Sequence, residues 1–275
     1  MRRRVGAVSS TILLTLAAML ADVPRGAAAD APPDAPGIIR RMKAAMEPSR
    51  PSVRTVTLRV SGGSDAGSST QVVAGEVRKK LPDGSRILIV VRSPQELRGM
   101  ALLVQEASGP QDLQWLYIPA IGRVRKILSS EACVHFLNSD FTYADLGFVS
   151  MRPQYKLIGE VSHDGTPAWE IQEIPHETWC YSSVTLHVAK STYLPLERRF
   201  FDPAGALWKV ERWHDIVKID GVPTPVGITM EDVQAQTRSD ITLSDISEPK
   251  QVDDTLFEPG QLPRVLQSPV WNSLH

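Results

Sequence analysis

The sequence predicts a mainly β protein of the α+β class, built on a strongly curved antiparallel half-barrel sheet that holds one or two short helices in its concave face. Three observations support this prediction. Segments of alternating apolar and polar residues recur along the chain, and Asp-Gly turn signals separate several of them at hairpin spacing. Only two stretches have helical character. Residues 87–91 are apolar on both faces, as expected for a strand that is covered on both sides.

The N-terminal residues have the organisation of a secretory signal peptide. Three arginines at positions 2–4 precede an apolar stretch over residues 9–21, which is too short to span a bilayer, and small residues at 27–29 suit a cleavage site. We predict a signal peptide over residues 1–29 and a flexible leader over residues 30–37, which is rich in Pro and Ala. The mature protein is then expected to be soluble in the periplasm, and an uncleaved anchor is the alternative.

A single domain is predicted over residues 38–262. Its first element is a short amphipathic helix over residues 37–47, in which apolar residues recur at helical spacing until a proline ends it. A second short helix is predicted after Asp140, with Ser139 or Asp140 as its N-cap. The predicted strands share a period of two or a β-branched run, and they lie at residues 55–60, 72–79, 86–92, 98–106, 155–161, 168–174, 182–189, 194–201, 207–219, 222–232 and 237–246. Two more are predicted within residues 115–127, where an aromatic strand and a strand with Arg123, Arg125 and Lys126 flank a Pro/Gly turn. Residues 263–275 are predicted to form a loose C-terminal tail.

Charge and motifs argue against two functional classes. The formal net charge is −1 and the chain has no basic tail, which argues against a nucleic-acid partner. The sequence contains no Gly-x-Ser-x-Gly, Walker, Gly-x-Gly-x-x-Gly or His-Glu-x-x-His motif. His214 and Asp215 are neighbours in a predicted strand and therefore point to opposite faces. We predict no catalytic residue, no metal and no cofactor, and a hydrolase of lipid or glycan is the alternative because triads assemble from distant residues.

The chain has two cysteines, Cys133 and Cys180. In an oxidising compartment they are expected to form one disulfide, which would contribute about 3–4 kcal/mol by the chain-entropy model. Two buried free thiols are a second possibility. A third is a zinc site with His135 and His176, which supply the right ligand types but at spacings that match no common zinc motif.

A curved sheet of this kind encloses an apolar hollow, which is a natural ligand site. The apolar residues that we predict to line it are Leu88, Val90, Trp115, Tyr117, Phe141 and Trp208. The alternative is that most of the aromatic residues belong to an ordinary core.

Arg123 and Arg125 are two residues apart in a predicted strand and therefore share one face, with Asp140 as a candidate partner. These residues form either a surface ion pair worth about 0–1 kcal/mol or a basic rim that holds a lipid head group or contacts a membrane partner.

Five segments carry a resemblance to a known family: Gly-Met-Ala-Leu-Leu at 99–103, the Trp-Leu-Tyr-Ile-Pro and Gly-Arg-Val-Arg-Lys-Ile stretches within 115–127, Ser-Asp-Phe-Thr-Tyr-Ala-Asp-Leu at 139–146, Lys-Ser-Thr-Tyr-Leu-Pro-Leu and the following residues within 190–205, and Asp-Thr-Leu-Phe at 254–257. On these segments the chain resembles the outer-membrane lipoprotein-sorting proteins, which are similar to the periplasmic lipoprotein carrier. It departs from them at Asn138, where the family usually has Gly.

The resemblance implies a lipoprotein-carrier-like fold, in which a half-closed antiparallel sheet covers helices and a hydrophobic cavity. It also implies a lipid or lipoprotein cargo and an efflux-type transporter of the inner membrane as partner, since family members are often encoded beside such transporters. We therefore expect a monomeric periplasmic carrier or chaperone. The alternative is a regulatory sensor that binds lipid or lipoprotein and signals to an inner-membrane partner.

Overall fold

The chain forms one antiparallel sheet in the computed structural model, which describes residues 33–62, 69–106, 113–146 and 153–274. Within these ranges the sheet has thirteen strands: β1 Ser52–Gly62, β2 Thr70–Leu81, β3 Gly84–Ser93, β4 Ala101–Gln105, β5 Leu113–Ile118, β6 Arg123–Lys126, β7 Gln154–His163, β8 Thr166–Ile174, β9 Ser183–Ala189, β10 Pro195–Phe201, β11 Leu207–Ile219, β12 Val222–Asp232 and β13 Thr237–Ser247. The predicted mainly β class is confirmed.

The strand order is β6-β5-β4-β3-β2-β1-β13-β12-β11-β10-β9-β8-β7. Two meanders therefore meet where β1 pairs with β13, for example with Leu58 opposite Ile241. Sequence-adjacent strands pair through short hairpins, and Asp-Gly turns close two of them. At 164–165 and at 220–221 both turn residues have positive φ, the conformation that favours Asp-Gly in two-residue hairpin loops.

The sheet is curved and open, with β6 and β7 as its two edges. Its concave face wraps around one α-helix and around residues 127–146, which we call the crossing segment because they lead from the β6 edge across that face. Apolar side chains from β1 to β4 and from β9 to β13 pack with the crossing segment in one core cluster.

The helix α1 (Ala35–Met46) lies on the concave face against β8 and β9. The Asp34 side chain caps it by accepting a hydrogen bond from the Gly37 backbone N–H at 2.9 Å. Ile38 and Ile39 are buried among apolar side chains of those strands. The helix begins at Ala35 rather than at residue 37, because the cap lies earlier than predicted, so residues 35–37 belong to the helix and not to a flexible leader. The predicted signal peptide lies outside the described residues.

The second predicted helix is absent from the described part of the crossing segment. The segment instead has two 3-10 turns, Ser129–Glu131 and Phe136–Asn138, followed by a turn over 142–146. Thr142 and Asp145 close that turn reciprocally: the Thr142 N–H donates to Asp145 Oδ2 at 2.8 Å and the Asp145 N–H donates to Thr142 Oγ1 at 3.2 Å. The cap is therefore Thr142, not Ser139 or Asp140, and it closes a turn instead of starting an α-helix.

Residues 252–274 form a C-terminal arm on the convex face. They contain three 3-10 helices, Asp254–Phe257, Pro259–Gln267 and Pro269–Ser273. Val265 and Trp271 are buried against β2, β3 and β4, and Trp271 Nε1 donates to the Val265 carbonyl at 2.7 Å. A Cβ at Gly75 would lie 2.6 Å from the Trp271 ring, so only glycine admits this contact. Residues 263–274 are thus packed structure rather than the predicted loose tail, because their apolar side chains cover the convex face.

No helix within these described ranges is both long enough and apolar enough to cross a membrane.

Candidate functional site

A cavity of about 380 Å³ lies on the concave face, between the C-terminal end of α1, the crossing segment and the central strands. Its apolar walls come from β1, β2, β3, β12, β13 and the crossing segment. These wall residues are Val56, Leu58, Val72, Ala74, Ile89, Phe136, Leu137, Leu146, Ile228, Ile241 and Leu243. The walls form because the inward positions of paired strands are apolar together, as where Val56 lies opposite Leu243.

One end of the cavity is charged. Arg54 and Arg78 both bind Glu76, whose Oε1 accepts from Arg54 Nε at 2.7 Å and from Arg78 Nε at 2.6 Å. Burial alone would raise the pKa of Glu76, but the two guanidinium groups hold this pKa down, to about 2. The three side chains therefore present two positive charges and one negative charge at neutral pH.

More charged pairs surround this end. Glu47, just after α1, accepts hydrogen bonds from Ser85 and from Lys80, the latter at 2.8 Å. Arg50 binds Asp220, and it also lies 3.1 Å from Glu248. Glu47, Asp220 and Glu248 all line the cavity, so its mouth is polar while its interior is apolar.

The charged end continues into a second hollow, which we call the basic depression, of about 270 Å³. The two hollows share Met46, Glu47, Pro48 and Arg78. Its charged lining residues are Lys43, Glu47, Arg78, Lys79, Lys80, Arg86 and Glu106. Basic side chains outnumber acidic ones in this lining, although Arg78, Lys79, Lys80 and Arg86 each also pair with a carboxylate.

Four of the six residues predicted to line the cavity lie elsewhere. Leu88 and Val90 are 0% and 1% exposed and pack under the C-terminal arm on the convex face, with Trp115 and Tyr117 beside the same cluster. Their neighbour Ile89 has the opposite orientation and faces the cavity. The prediction for these four residues is wrong because residues 87–91 are apolar on both faces, which left the inward face undetermined.

Phe141 and Trp208 belong to the core of the concave face, but neither is among the residues that line the cavity. Phe141 is fully buried. Trp208 is held by a hydrogen bond from its Nε1 to Asp232 Oδ2 at 2.8 Å. Both residues support the packing around the cavity rather than its surface.

The predicted partnership of Asp140 with the two arginines is wrong. Arg125 pairs with Glu131 at 2.8 Å, and Arg123 is exposed on the edge strand β6. Asp140 lies on the crossing segment and accepts hydrogen bonds from Thr237 and from Ser239, the latter at 2.6 Å. Its role is to fasten the crossing segment to β13.

A buried polar network fastens the next turn of the crossing segment. Lys209 Nζ lies 3.0 Å from Asp145 Oδ2 and 2.9 Å from the Asp140 carbonyl, and Tyr181 donates to Asp145 Oδ1 at 2.5 Å. Burial, together with the Asp145 charge, raises the pKa of Tyr181, which keeps its hydroxyl protonated as the donor. This network was not predicted from the sequence. The sequence feature that could have indicated it is Lys209, a charged residue beside apolar residues in a predicted strand.

Cys133 and Cys180 form a disulfide, with a Cα–Cα distance of 5.6 Å. The predicted disulfide is confirmed, and it rules out the free-thiol and zinc alternatives for these two residues. The bond joins the crossing segment to the loop that precedes β9.

The expectation that His214 and Asp215 point to opposite faces is wrong. His214 Nδ1 lies 2.8 Å from Asp215 Oδ2, because the positive φ of Asp215, 54°, departs from regular strand geometry. Both residues are exposed on β11, away from the cavity lining.

The sequence of this chain matches a known family model. A family model described as "uncharacterized protein" matches residues 83–264, more than half of the chain. No curated protein matches the sequence significantly.

Three solved structures are similar to the fold. A putative outer membrane lipoprotein-sorting protein domain from Vibrio parahaemolyticus has a TM-score of 0.74 and 24% identity, over 82% of this chain and 97% of that chain. A DUF1329 family protein from Desulfovibrio piger has a TM-score of 0.73 and 24% identity, over 82% and 96%. A LolA superfamily protein from Nitrosomonas europaea has a TM-score of 0.65 and 19% identity, over 82% and 97%. The resemblance on which the predicted fold was based is thereby confirmed.

Proposed function

We propose a carrier function for this chain. The chain belongs to the family of uncharacterized proteins whose model matches residues 83–264. Its fold is that of lipoprotein-sorting and LolA superfamily domains. The chain would act in the periplasm as a carrier or chaperone that holds the acyl chain of a lipid or lipoprotein. The observation that carries this proposal is the cavity with apolar walls and a charged mouth.

The dimensions of the cavity support this ligand class. Its volume of about 380 Å³ falls in the range of about 300–1,000 Å³ that is common for ligand pockets. Burial of an acyl chain contributes about 0.8 kcal/mol for each CH₂ group removed from water. Binding of this kind requires no covalent step.

The basic depression supports an anionic head group. Arg78 lines both hollows, so an amphiphile with its chain in the cavity would bring its polar end to this guanidinium. Lys80 and Arg86 lie in the same depression. A carboxylate or phosphate would gain charge-assisted hydrogen bonds there.

The transfer partner in this proposal is an efflux-type transporter of the inner membrane, which the family resemblance implies. A sensor that signals to an inner-membrane regulator would use the same cavity. The two differ in what the loaded protein binds: a carrier gives its cargo to a transporter, whereas a sensor forms a stable complex with a regulator.

Native mass spectrometry of the protein purified from a bacterial periplasm, followed by lipid extraction, tests the proposal. A carrier is expected to retain close to one lipid or acylated peptide per chain. A clean apo mass, together with no binding of a fluorescent fatty-acid probe, would contradict it. Crosslinking of the loaded protein in the periplasm then distinguishes a transporter from a regulator.

A further inference from the structure

Three potential metal ligands come together on the convex face, away from the cavity. They are His163 at the end of β7, His187 in β9 and Glu197 in β10, and their ligand atoms all lie within 4.8 Å of one another. His187 alternates along β9 with Leu186 and Val188, which pack with α1 on the concave face, so the His187 ring points to the other side of the sheet.

The two imidazole rings face each other through their Nδ1 atoms, which are 3.3 Å apart. Zinc binds histidine nitrogen at about 2.0–2.1 Å with tetrahedral geometry, so two nitrogen ligands of one zinc ion are about 3.3–3.4 Å apart. The observed separation of the two Nδ1 atoms therefore matches a pair of nitrogen ligands to a single ion.

A hydrogen-bonded carboxylate lies behind the His187 ring, and a second, exposed carboxylate lies near the His163 ring. His187 Nε2 lies 3.1 Å from Glu170 Oε2, and His163 Nε2 lies 3.8 Å from Asp164 Oδ2. When Nε2–H donates to a carboxylate, the lone pair of the ring is on Nδ1. This places the His187 lone pair on Nδ1, facing the His163 ring, where either the Nδ1–H of His163 can donate to it or a metal ion can accept it. The 3.8 Å between His163 and Asp164 is too long for a hydrogen bond, so His163 is free to turn its own Nδ1 lone pair toward the same space when a metal ion binds. A carboxylate behind a ligating histidine is the usual second layer of a metal site.

Glu197 supplies the third ligand from a fixed position. Its side chain is 3% exposed, with Oε1 accepting from Arg199 Nε at 2.7 Å and Oε2 from Arg212 Nε at 3.0 Å. A carboxylate offers about four lone-pair sites, so each oxygen keeps one for a metal ion. Arg212 also pairs with Glu231 at 2.8 Å. The two arginines are therefore balanced by Glu197 and Glu231.

We propose that His163, His187 and Glu197 form a binding site for a divalent transition metal of the zinc class, with water in the fourth position. Two imidazoles and one carboxylate are ligands that zinc accepts. Glu170, behind His187, adds a negative charge that favours a cation at this place. The metal would join the edge strand β7 to β9 and β10, so it would hold the end of the sheet together.

The test uses the tag-free full chain, stripped with a chelator and titrated with ZnCl₂ by calorimetry and with CoCl₂ by absorption spectroscopy. We expect one Zn²⁺ per chain, a visible spectrum of tetrahedral Co²⁺ and a higher thermal midpoint with Zn²⁺. His163→Gln and His187→Gln are expected to weaken Zn²⁺ by more than about a hundredfold, and Glu170→Gln by about 10–100-fold, as for second-layer carboxylates. His176→Gln, which changes an exposed histidine outside the cluster, is the matched control and should bind as the wild type does.

His163→Gln decides the test if His187→Gln does not fold, because His163 lies at a hairpin end and is partly exposed. Circular dichroism of each apo variant establishes its fold. The proposal is overturned if the wild type shows no saturable 1:1 binding, if folded His163→Gln keeps wild-type affinity, or if His176→Gln loses binding to the same extent. The cysteines do not compete for the metal, since both are in the disulfide.

Discussion

Lys209 and Asp145 form an ion pair in which both side chains are 0% exposed, with Nζ 3.0 Å from Oδ2. The pair links the sheet to the crossing segment directly beside the core of the concave face. A charge in such a place is tolerated only because it is paired and hydrogen-bonded. The wall of the cavity therefore depends on a polar contact as well as on apolar packing.

Replacing Lys209 is expected to destabilise the protein strongly. Lys209→Met leaves the Asp145 carboxylate buried without its cation, which costs about 3–5 kcal/mol in comparable pairs. The free energy of unfolding, measured by urea denaturation with the disulfide intact, gives the effect. Lys218→Met, at an exposed lysine of the same strand, is the control and should change stability by less than about 0.5 kcal/mol. An equal loss of unfolding free energy in the two variants would show that the buried ion pair contributes no more to stability than an exposed lysine does.

A charge on the cavity wall is expected to prevent acyl binding. Leu243→Glu places a carboxylate opposite Val56, and removing that charge from water opposes the entry of an apolar chain. We expect at least a tenfold weaker affinity for a fluorescent fatty-acid probe. Thr242→Glu, one residue earlier and exposed, is the matched control and should bind normally. Wild-type affinity in a folded Leu243→Glu variant would show that the ligand binds at another site.

Arg78 is expected to select anionic head groups. Arg78→Gln leaves Glu76 paired with Arg54 but removes the positive charge shared by the cavity and the basic depression. Loss of a charge-assisted hydrogen bond predicts roughly tenfold weaker binding of a fatty acid and little change for the neutral monoacylglycerol of equal chain length. Arg59→Gln, which changes an exposed arginine on β1, is the control. A parallel loss for both ligands would instead indicate damage to the cavity itself.

Acid is expected to destabilise the protein through Glu76. The pKa of this carboxyl is about 2 in the folded state against 4.5 for an unperturbed glutamate. The stability it contributes is therefore complete above pH 4.5 and is lost as the pH falls from 4.5 towards 2, by roughly 3 kcal/mol in total. Urea denaturation at a series of pH values measures this slope. Glu76→Gln should be less stable at pH 7 and should show a smaller slope in that window. An unchanged slope would assign the acid sensitivity to other carboxyl groups.

The sequence was sufficient for the architecture because strand alternation and turn chemistry are local. Asp-Gly at 164–165 and 220–221 marked two hairpins, and both have the positive φ that this pair favours. The orientation of residues 87–91, in contrast, is not determined by local sequence. Whether Leu88 or Ile89 faces the cavity depends on which face of the sheet the C-terminal arm covers. The residues of the strand itself do not determine which face this is.

The candidate site was predicted less well for a related reason. Glu47 and Arg54 are close in the chain, but Glu76, Arg78 and Asp220 lie in other strands or hairpins. All five residues meet only after β1, β2 and the β11–β12 hairpin have assembled. The segment around Asp140 stands out in the sequence, but the partners of Asp140 on β13 are about a hundred residues away in the chain. A carboxylate with a remote partner is indistinguishable in sequence from one that faces solvent.

The covalent attachment of the crossing segment decides how a ligand could be loaded. One wall of the cavity is tied to the β9 side of the sheet by Cys133–Cys180 and to β11 by Lys209. The opposite wall is the one that can move without breaking a disulfide or a buried ion pair. There the loop at 46–49 faces the hairpin at Asp220 across surface charges, and charged pairs of that kind separate easily in water. For the proposed carrier, the entrance of the cavity is therefore expected between α1 and the Asp220 hairpin, and a partner that binds Arg50 or Asp220 would be expected to open it.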